Sequence, residues 1–232
     1  MAVFTEESAR ANIRNRDGKR VFYLAEGDHL TPSAREFLRR ERVEILPASQ
    51  AKPDRFVTAG GLVLTEKPEH MTHLRAGVLV QKAHPRIRFR GAMDALEADL
   101  LLVGHQASGE TAKNLQELLD TARRIIRCEV LEEPMELRTL GGLTLDQLRE
   151  QSHHPEKYFG QPHFMPSFSD SELLLKLNRL RTQVRQAELL ACEAFRDRDG
   201  AMIRQDLVTI LNRMSSLLWI MIIRIKKEGA HG

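Results

Sequence analysis

A basic segment at the entrance of a predicted helix is the first part of this sequence that could do chemistry. Residues 82–91 read Lys-Ala-His-Pro-Arg-Ile-Arg-Phe-Arg-Gly, and Asp94 follows on the same predicted helix. Backbone amides at a helix N-terminus carry positive potential, so Lys82 and Arg86 at this place would suit a polyphosphate. A solvated basic loop has the same composition, and the segment alone leaves both interpretations open.

A second group of polar residues lies on one face of a long predicted helix. Arg181, Arg185 and Glu188 are spaced by four and three residues, which brings their side chains into line. A face of this kind could meet a ligand. An exposed face carrying an Arg–Glu pair would contain the same residues, so this pattern also has two interpretations.

A third polar group opens the last predicted helix. Residues 211–219 read Leu-Asn-Arg-Met-Ser-Ser-Leu-Leu-Trp, so Asn212, Arg213 and two serines precede an apolar run. Buried polar side chains are unfavourable unless they are paired, which favours a ligand or a polar helix surface opposite them. The alternative is a helix that is buried along part of its length and exposed at its polar residues.

The remaining candidate residues do not complete a site. His70 with His73, and His153 with His154, lack the Cys or carboxylate partners of a metal centre, so surface histidines are the favoured interpretation. The sequence contains no glycine-rich phosphate loop, no nucleophile elbow and no carboxylate dyad. Most hydrolases and P-loop kinases are therefore excluded.

Composition indicates a folded chain that packs mainly helices. Of its 232 residues, 42% are hydrophobic and 29% are charged, which excludes a disordered chain and a membrane protein. Aromatic residues make up only 5%, which favours helix packing over a β-sandwich. The net charge of +3 fits phosphate-rich ligands of any size and does not by itself indicate nucleic acid.

Targeting and redox signals indicate a cytoplasmic protein. The first twenty residues lack the apolar core of a signal peptide. The apolar run 217–223 is far shorter than the roughly 20 residues that span a bilayer, so we predict a buried helix and no transmembrane segment. Cys128 and Cys192 are widely spaced and lie on helical patterns, which predicts reduced thiols.

The positions of apolar and turn-forming residues predict two domains. Residues 1–65 form a small α/β module in which Thr31 caps a helix that begins at Pro32, and residues 66–232 form a helical bundle. Ser169, with a glutamate three residues later, predicts a capping box. In the first domain we predict strands at 20–24, 43–46 and 62–64, with a loop at 47–61. In the second domain we predict four long helices, at 85–101, 109–130, 169–196 and 202–227. Residues 131–168 are predicted to be irregular except for one helix at 145–151.

The first of these helices has one face formed by six residues at helical spacing, which are Ile87, Gly91, Asp94, Ala95, Ala98 and Leu101.

The three polar groups together resemble the PduO-type ATP:cob(I)alamin adenosyltransferases. Those enzymes read K-x-D-x-R, G-x-x-D-E-L, R-x-x-C-R-R-A-E-R and N-R-L-S-D in this order. The corresponding segments here begin at Lys82, Gly91, Arg181 and Asn212. The flanking sequence resembles the ethanolamine-utilisation branch, EutT, still more closely. The matching segments are Leu-Thr-Pro-Ser-Ala-Arg-Glu, Lys-Pro-Glu-His-Met-Thr-His-Leu and Gly-Leu-Thr-Leu-Asp-Gln-Leu-Arg. The match covers nearly the whole chain.

The resemblance implies a mostly α fold, a four- or five-helix bundle that forms a homotrimer and binds ATP and the corrinoid between subunits. Cob(I)alamin would attack the 5′-carbon of ATP, which travels with Mg2+, and would expel triphosphate. By position, Lys82 and Arg86 would hold the triphosphate. Arg185 and Asn212 would also contact ATP, with Glu188 supporting them.

The resemblance also implies roles in assembly and at the corrinoid. Asp94 and Arg181 would form a salt bridge between subunits that orders the site. Phe164, or alternatively Phe168, would displace the lower axial ligand of cobalt, and Trp219 would pack near the corrin ring. A flavoprotein reductase and ethanolamine ammonia-lyase are the expected protein partners, in the cytoplasm or inside a bacterial microcompartment.

Three departures from the family pattern modify these expectations. Many EutT proteins carry a His- and Cys-rich metal motif, but residues 47–65 contain neither residue type, so we predict no structural iron or zinc. The amino-terminal glycine-rich ATP loop is absent, and Thr72 and His73 fall near where it should end. Ser216 and Ala95 replace the usual Asp and Glu.

Two other functions compete with the adenosyltransferase hypothesis. A non-catalytic scaffold or adaptor of a bacterial microcompartment would keep the apolar faces and bind no ATP. A small nucleic-acid-binding bundle would use residues 86–90, and its affinity would fall steeply with salt.

Overall fold

The computed structural model describes residues 2–16, 18–50, 56–197 and 199–229. The chain divides into two compact units, Met1–Lys67 and Pro68–Gly232. The first unit mixes short strands with helices, whereas most of the second unit is helical. The predicted mostly α character is therefore confirmed.

The first unit is organised around two parallel strands and the helix that connects them. Its elements are β1 (Val3–Phe4), α1 (Glu6–Ala11), β2 (Arg14–Arg16), β3 (Lys19–Leu24), β4 (His29–Leu30), α2 (Pro32–Arg40), β5 (Glu44–Pro47), a 3-10 turn (Ala48–Gln50), β6 (Phe56–Thr58) and β7 (Val63–Leu64). β3 pairs in parallel with β5 and antiparallel with β2. Phe22 on β3 and Phe37 on α2 are buried together in the core of this unit.

The start of α2 agrees with the sequence. Thr31 has extended backbone angles, and its Oγ1 accepts a hydrogen bond from the Ala34 amide at 3.2 Å. Pro32 occupies the first turn, where its missing amide hydrogen is not needed. The predicted cap is confirmed.

The predicted loop 47–61 contains a strand. Residues 51–55 lie outside the described residues, but β6 follows them and pairs antiparallel with β7. The Thr58 amide donates to the Leu62 carbonyl at 2.8 Å, and Gly61 closes the turn with a φ of 86°. The prediction of an unbroken loop is wrong because a strand of three residues is too short to produce a periodic pattern.

The second unit contains the long helices. Its elements are β8 (Met71–Arg75), β9 (Val78–Gln81), α3 (Pro85–Gln106), α4 (Gly109–Leu131), β10 (Thr139–Leu140), β11 (Leu143–Thr144), α5 (Leu145–His153), α6 (Pro155–Phe159), α7 (Glu172–Ala194) and α8 (Gln205–Gly229). α7 packs against both α3 and α8, and α3 packs against α4. α5 packs on α8. Within the described residues the four long predicted helices are confirmed.

Ion pairs fix the direction of α3 relative to α7. Arg88 Nη1 lies 2.8 Å from Glu193 Oε1, and Arg179 Nε lies 2.6 Å from Asp99 Oδ2. An early residue of α3 therefore meets a late residue of α7, so the two helices are antiparallel. Their buried surfaces use apolar residues at intervals of three and four, which are Phe89, Met93, Leu96, Leu100 and Val103 on α3 and Leu177, Leu180, Val184, Ala187 and Ala191 on α7.

The face of α3 that the sequence groups together points away from this core. Gly91, Asp94, Ala95 and Ala98 are exposed, and Leu101 is 50% exposed. The buried stripe is the neighbouring one, because α4 and α7 both pack on that side. Helical spacing identified the helix correctly, but two faces of α3 carry apolar residues and the spacing does not select the buried one.

The predicted start of α7 is wrong by two residues. Its N-cap is Ser171, whose Oγ accepts from the Leu174 amide at 3.3 Å. Ser169 instead contacts Ser167 Oγ at 2.8 Å. Asp170 Oδ2 accepts from the Ser167 amide at 2.6 Å, which keeps these residues in a turn and delays the helix.

The capping box of this chain occurs at α5, which confirms the predicted helix at 145–151. Thr144 and Gln147 exchange side-chain-to-backbone hydrogen bonds at 3.2 and 2.9 Å. The stretch predicted as otherwise irregular, 131–168, also contains the β10–β11 hairpin and α6. Their two-residue strands and single turn are too short for sequence periodicity to show.

The last helix begins later than predicted. Met202 forms an isolated bridge with Arg196, so α8 begins at Gln205. The predicted break at 197–200 is confirmed for its described residues, and Arg198 lies outside them.

α8 is a core helix of the second unit. By length and composition it could cross a membrane, but 67% of its most apolar window is buried within the protein. All residues of the run 217–223 except the half-buried Trp219 are buried. The buried-helix interpretation of this run is confirmed.

Candidate active site

A cavity of about 710 Å3 lies between α7 and α8. The end of α5 and the segment between α6 and α7 complete its walls. Its lining brings together polar, cationic and aromatic side chains, which are Ser152, His153, His163, Phe164, Met165, Pro166, Asn178, Arg181, Arg185, Asn212, Ser215, Ser216 and Trp219.

One wall of the cavity is cationic. Arg181 and Arg185 line it one helical turn apart, as the sequence predicts for their common face. Arg181 donates to Asn178 Oδ1 from two nitrogens, at 3.0 and 3.2 Å. Burial, and then the adjacent charge of Arg185, lower the pKa of Arg181 below its ordinary value.

These two arginines have the chemistry to bind an anion. Neither arginine pairs with a carboxylate in the described part of the chain. Arg181 is partly buried and Arg185 is exposed, and an anion bound by both would offset the repulsion between their charges. Guanidinium groups bind phosphate oxygens through directed pairs of hydrogen bonds.

Asn212 is held by a short chain of hydrogen bonds. Its Nδ2 donates to Glu188 Oε1 at 2.9 Å, and Arg213 Nη1 donates to its Oδ1 at 2.6 Å. These two bonds set which way the amide faces. Glu188 therefore reaches the site through Asn212, and the cluster at the start of the apolar helix faces a cavity, as one interpretation of that cluster predicts.

The wall next to these arginines is aromatic. The rings of His163 and Trp219 stack with centroids 5.8 Å apart and an angle of 10°. Phe164 packs on Trp219 at 5.3 Å, and the Arg181 guanidinium lies 5.4 Å from the Trp219 centroid. Phe168, the alternative to Phe164, projects fully into solvent.

Four predicted site residues do not line this cavity: Glu188, which reaches it only through Asn212, and Lys82, Asp94 and Arg86. Lys82 is exposed before α3 and pairs with Glu69 at 3.2 Å. Asp94 lies on the exposed face of α3. Arg86 is largely buried, with 17% of its side chain exposed. Their predicted contacts with ATP or with a second subunit stay predictions.

Arg86 belongs to a buried ion cluster between α3 and α4. The Glu129 side chain is fully buried and accepts from Arg86 Nε at 2.5 Å and from Arg90 Nε at 2.6 Å. Arg86 also donates to the Glu129 carbonyl at 2.9 Å and to Glu132 at 3.0 Å. Burial alone would lower the pKa of Arg86, but its bonds to Glu129 and Glu132 outweigh burial and raise it. Binding of triphosphate by Arg86 would require one of these bonds to be exchanged.

The same cluster includes the cap of α3. His84 Nδ1 accepts from the Arg86 amide at 3.2 Å. A ring nitrogen can accept only when it carries no proton. Burial, and then the charges of Arg86 and Arg90, lower the pKa of His84.

The basic segment is not a free phosphate-binding surface. Arg86 and Arg90 are engaged by Glu129, and Arg88 pairs with Glu193 at 2.8 Å. A nucleic acid that used residues 86–90 would have to displace these carboxylates. The geometry argues against the nucleic-acid hypothesis.

The two cysteines of this chain do not pair with each other. Cys128 is buried, Cys192 is half-buried, and both are free thiols, as predicted. In the described ranges, no three or more His, Cys, Asp or Glu residues form a group that could hold a metal ion.

Sequence reasoning missed His163 and Asn178. Asn178 lies three residues before Arg181 on the same helix face, so helical spacing could have identified it. His163 lies in an irregular segment, where no periodicity indicates which way a side chain points. Only contacts between distant parts of the chain place it on Trp219.

Comparison with known proteins identifies the family. The family model described as cobalamin adenosyltransferase matches residues 62–225. Corrinoid adenosyltransferase EutT of Salmonella typhimurium is 30% identical over 242 aligned positions, which cover 94% of this chain and 90% of that protein. EutT of Escherichia coli K12 is 28% identical with the same coverage. This chain therefore belongs to the cobalamin adenosyltransferase family and is of the EutT type.

Proposed function

We propose that this chain is a corrinoid adenosyltransferase that transfers the 5′-deoxyadenosyl group of ATP to the cobalt of cob(I)alamin. One observation carries the proposal beyond family membership. The cavity brings an aromatic wall, with Trp219 and Phe164, next to two arginines without carboxylate partners in the described chain. This combination suits a flat apolar macrocycle next to a polyphosphate.

The cationic wall suits the leaving group of the reaction. Cobalt(I) supplies the electron pair that forms the Co–C5′ bond, the C5′–O bond breaks, and triphosphate departs with that bond's electrons. Negative charge therefore develops on the triphosphate, where Arg185 would stabilise it, with Arg181 one helical turn away and shared with Asp94 of a neighbouring copy. Asn212, oriented by Glu188, would fix the nucleotide. No covalent enzyme intermediate is required, so the absence of a nucleophile from the sequence is consistent with this chemistry.

The aromatic wall suits the corrinoid. Phe164 and Trp219 would cover one face of the ring, exclude water and keep the lower ligand off cobalt, which makes cobalt(II) easier to reduce. The burial of Phe164 against Trp219 favours it over Phe168 for this role.

The proposal also includes the helical bundle, the assembly of subunits and the magnesium ion. The four long helices α3, α4, α7 and α8 would form the PduO-type bundle, and three copies would assemble so that Asp94 of one reaches Arg181 of another. Lys82 would approach the triphosphate, and Arg86 would join it on exchanging one of its bonds to Glu129 or Glu132. Mg2+ would arrive on the phosphates of ATP, since magnesium commonly binds through substrate phosphates with few protein carboxylates.

The physiological setting follows from the EutT type. The product would serve ethanolamine ammonia-lyase, a flavoprotein would supply the electron to cobalt(II), and the protein would work in the cytoplasm or inside a microcompartment. A scaffold without activity would bind neither substrate.

The test is adenosylation by the purified full chain. Chemically reduced cobalamin and MgATP should yield a light-sensitive alkylcobalamin together with one equivalent of triphosphate. Arg185→Ala should abolish turnover and leave the helical circular dichroism unchanged. Arg179→Ala is the matched control, because Arg179 lies on the same helix but pairs with Asp99. Normal turnover by Arg185→Ala would contradict the site assignment, and no product from the wild type would contradict the function.

A further inference from the structure

The segment that carries Phe164 is held by α8 at two points. At its start, His163 and Phe164 both pack on Trp219. At its end, Asp170 forms an ion pair with Lys226. Between these points Met165 and Phe168 are 88% and fully exposed, so they add little to hold the segment in place.

Lys226 contacts both the end of this segment and its central ring. Its Nζ binds Asp170 Oδ1 and lies 5.5 Å from the Phe164 ring centroid. An ammonium group near an aromatic ring is attracted by the electron density of the ring. Lys226 therefore joins the position of Phe164 to that of Asp170.

Asp170 depends on this lysine. Only 3% of its side chain is exposed, and its Oδ2 accepts from the Ser167 amide at 2.6 Å. A buried carboxylate without its cation is strongly unfavourable, so removal of Lys226 would draw Asp170 towards water. Because Asp170 also holds Ser167, the segment between His163 and Asp170 would move with it.

Lys226 lies on the cavity side of α8. Asn212, Trp219 and Lys226 follow at intervals of seven residues, which is close to two helical turns. One stripe of this helix therefore presents the proposed nucleotide contact, the aromatic wall and the cation that holds Phe164.

We infer that Lys226, paired with Asp170, is a positioning residue that sets Phe164 against the corrinoid. This inference rests on the proposed function. Lys226 touches no reacting atom, and it acts by fixing the ring that keeps the lower ligand away from cobalt.

The experiment compares Lys226→Met with Arg224→Met in the full chain. Arg224 is a matched control because it lies on the same helix, pairs with Glu110 at 2.7 Å and contacts the Phe159 ring at 5.8 Å. Cob(II)alamin with ATP is the probe, and the readouts are the fraction of four-coordinate cobalt(II) in the electron paramagnetic resonance spectrum, kcat, and KM for ATP.

The inference expects a specific pattern. Lys226→Met should lower the four-coordinate fraction and reduce kcat about tenfold, the order expected for a misplaced positioning contact, with KM for ATP unchanged. Lys226→Arg should restore both. Asp170→Asn, which keeps an acceptor for the Ser167 amide, should reproduce the effect, and the double variant should be no worse than either single variant.

Other outcomes would overturn either this inference or the proposed function. If Lys226→Met matches Arg224→Met in spectrum and kcat, or if Asp170→Asn behaves as wild type, the inference is overturned. If Lys226→Met does not fold, Asp170→Asn and Lys226→Arg decide in its place. A wild-type protein that forms no four-coordinate cobalt(II) and no product would refute the proposed function instead.

Discussion

Replacement of Glu129 by Gln tests whether the basic segment at the start of α3 stabilises the fold. The Glu129 side chain is fully buried and bridges Arg86 and Arg90, each of which is only 17% exposed. Glutamine keeps the volume and one acceptor oxygen but removes the charge. Two mostly buried guanidinium groups then lose their common counter-ion.

The expected destabilisation can be estimated from this geometry. Removal of one partner of a buried ion pair costs about 3–5 kcal/mol, and the lower value applies because Gln still accepts one hydrogen bond. For a protein of this length, 1 kcal/mol corresponds to about 2–4 °C in Tm, so Glu129→Gln should melt about 6–12 °C below wild type.

Thermal unfolding followed by circular dichroism measures this difference. Glu193→Gln is the control, since Glu193 of α7 pairs with Arg88 of the same helix α3 but both side chains are about half exposed. An exposed pair contributes less than about 1 kcal/mol, so this variant should melt within a few degrees of wild type. Equal melting temperatures for the two variants would refute the conclusion that burial makes the Glu129 cluster structural.

Three further predictions concern stability, pH and the aromatic wall. The neutral His84 side chain caps α3 and contributes stability above its ordinary pKa of about 6.5. Because the pKa of His84 is lower in the folded protein, this stability is lost as the pH falls below 6.5. Asn can cap a helix without titrating, so His84→Asn should make Tm fall less steeply at low pH. Gly141→Ala should lower the free energy of unfolding by about 1–3 kcal/mol in chemical denaturation, because the new Cβ would lie 2.6 Å from a methyl group of the buried Leu217. Gly142→Ala has open space around the new Cβ and should cost less. Equal losses would contradict the packing argument. Phe164→Ala should slow adenosylcobalamin formation about tenfold or more in a single-turnover assay while Phe168→Ala stays near wild type, and the reverse order would move the role to Phe168.

Much of the helical framework could be predicted from short-range patterns. Thr31 before Pro32 located the start of α2, and helical spacing located the four long helices and α5. Where two local signals competed, the prediction failed. Ser169 and Ser171 both suit an N-cap, and the Asp170 turn, which depends on a contact with Lys226, decides between them.

Part of the candidate site was also predictable. The spacing of Arg181 and Arg185 placed both on one helix face, and the structure places both on the cavity wall. Phe164 and Trp219 of the aromatic wall could be predicted only from the family resemblance. Their mutual contact and the stacking of His163 required the folded chain.

By itself, the sequence determined which residues share a helix face and which helices are apolar, because these properties depend on neighbours three and four positions away. Only the tertiary structure decided which arginines are free to bind an anion. Arg86 is neutralised by Glu129, 43 residues distant, whereas the described contacts of Arg181 are with two uncharged groups, the Asn178 amide and the Trp219 ring. Charge compensation depends on distances of a few ångströms between groups remote in the chain, and helix packing sets those distances.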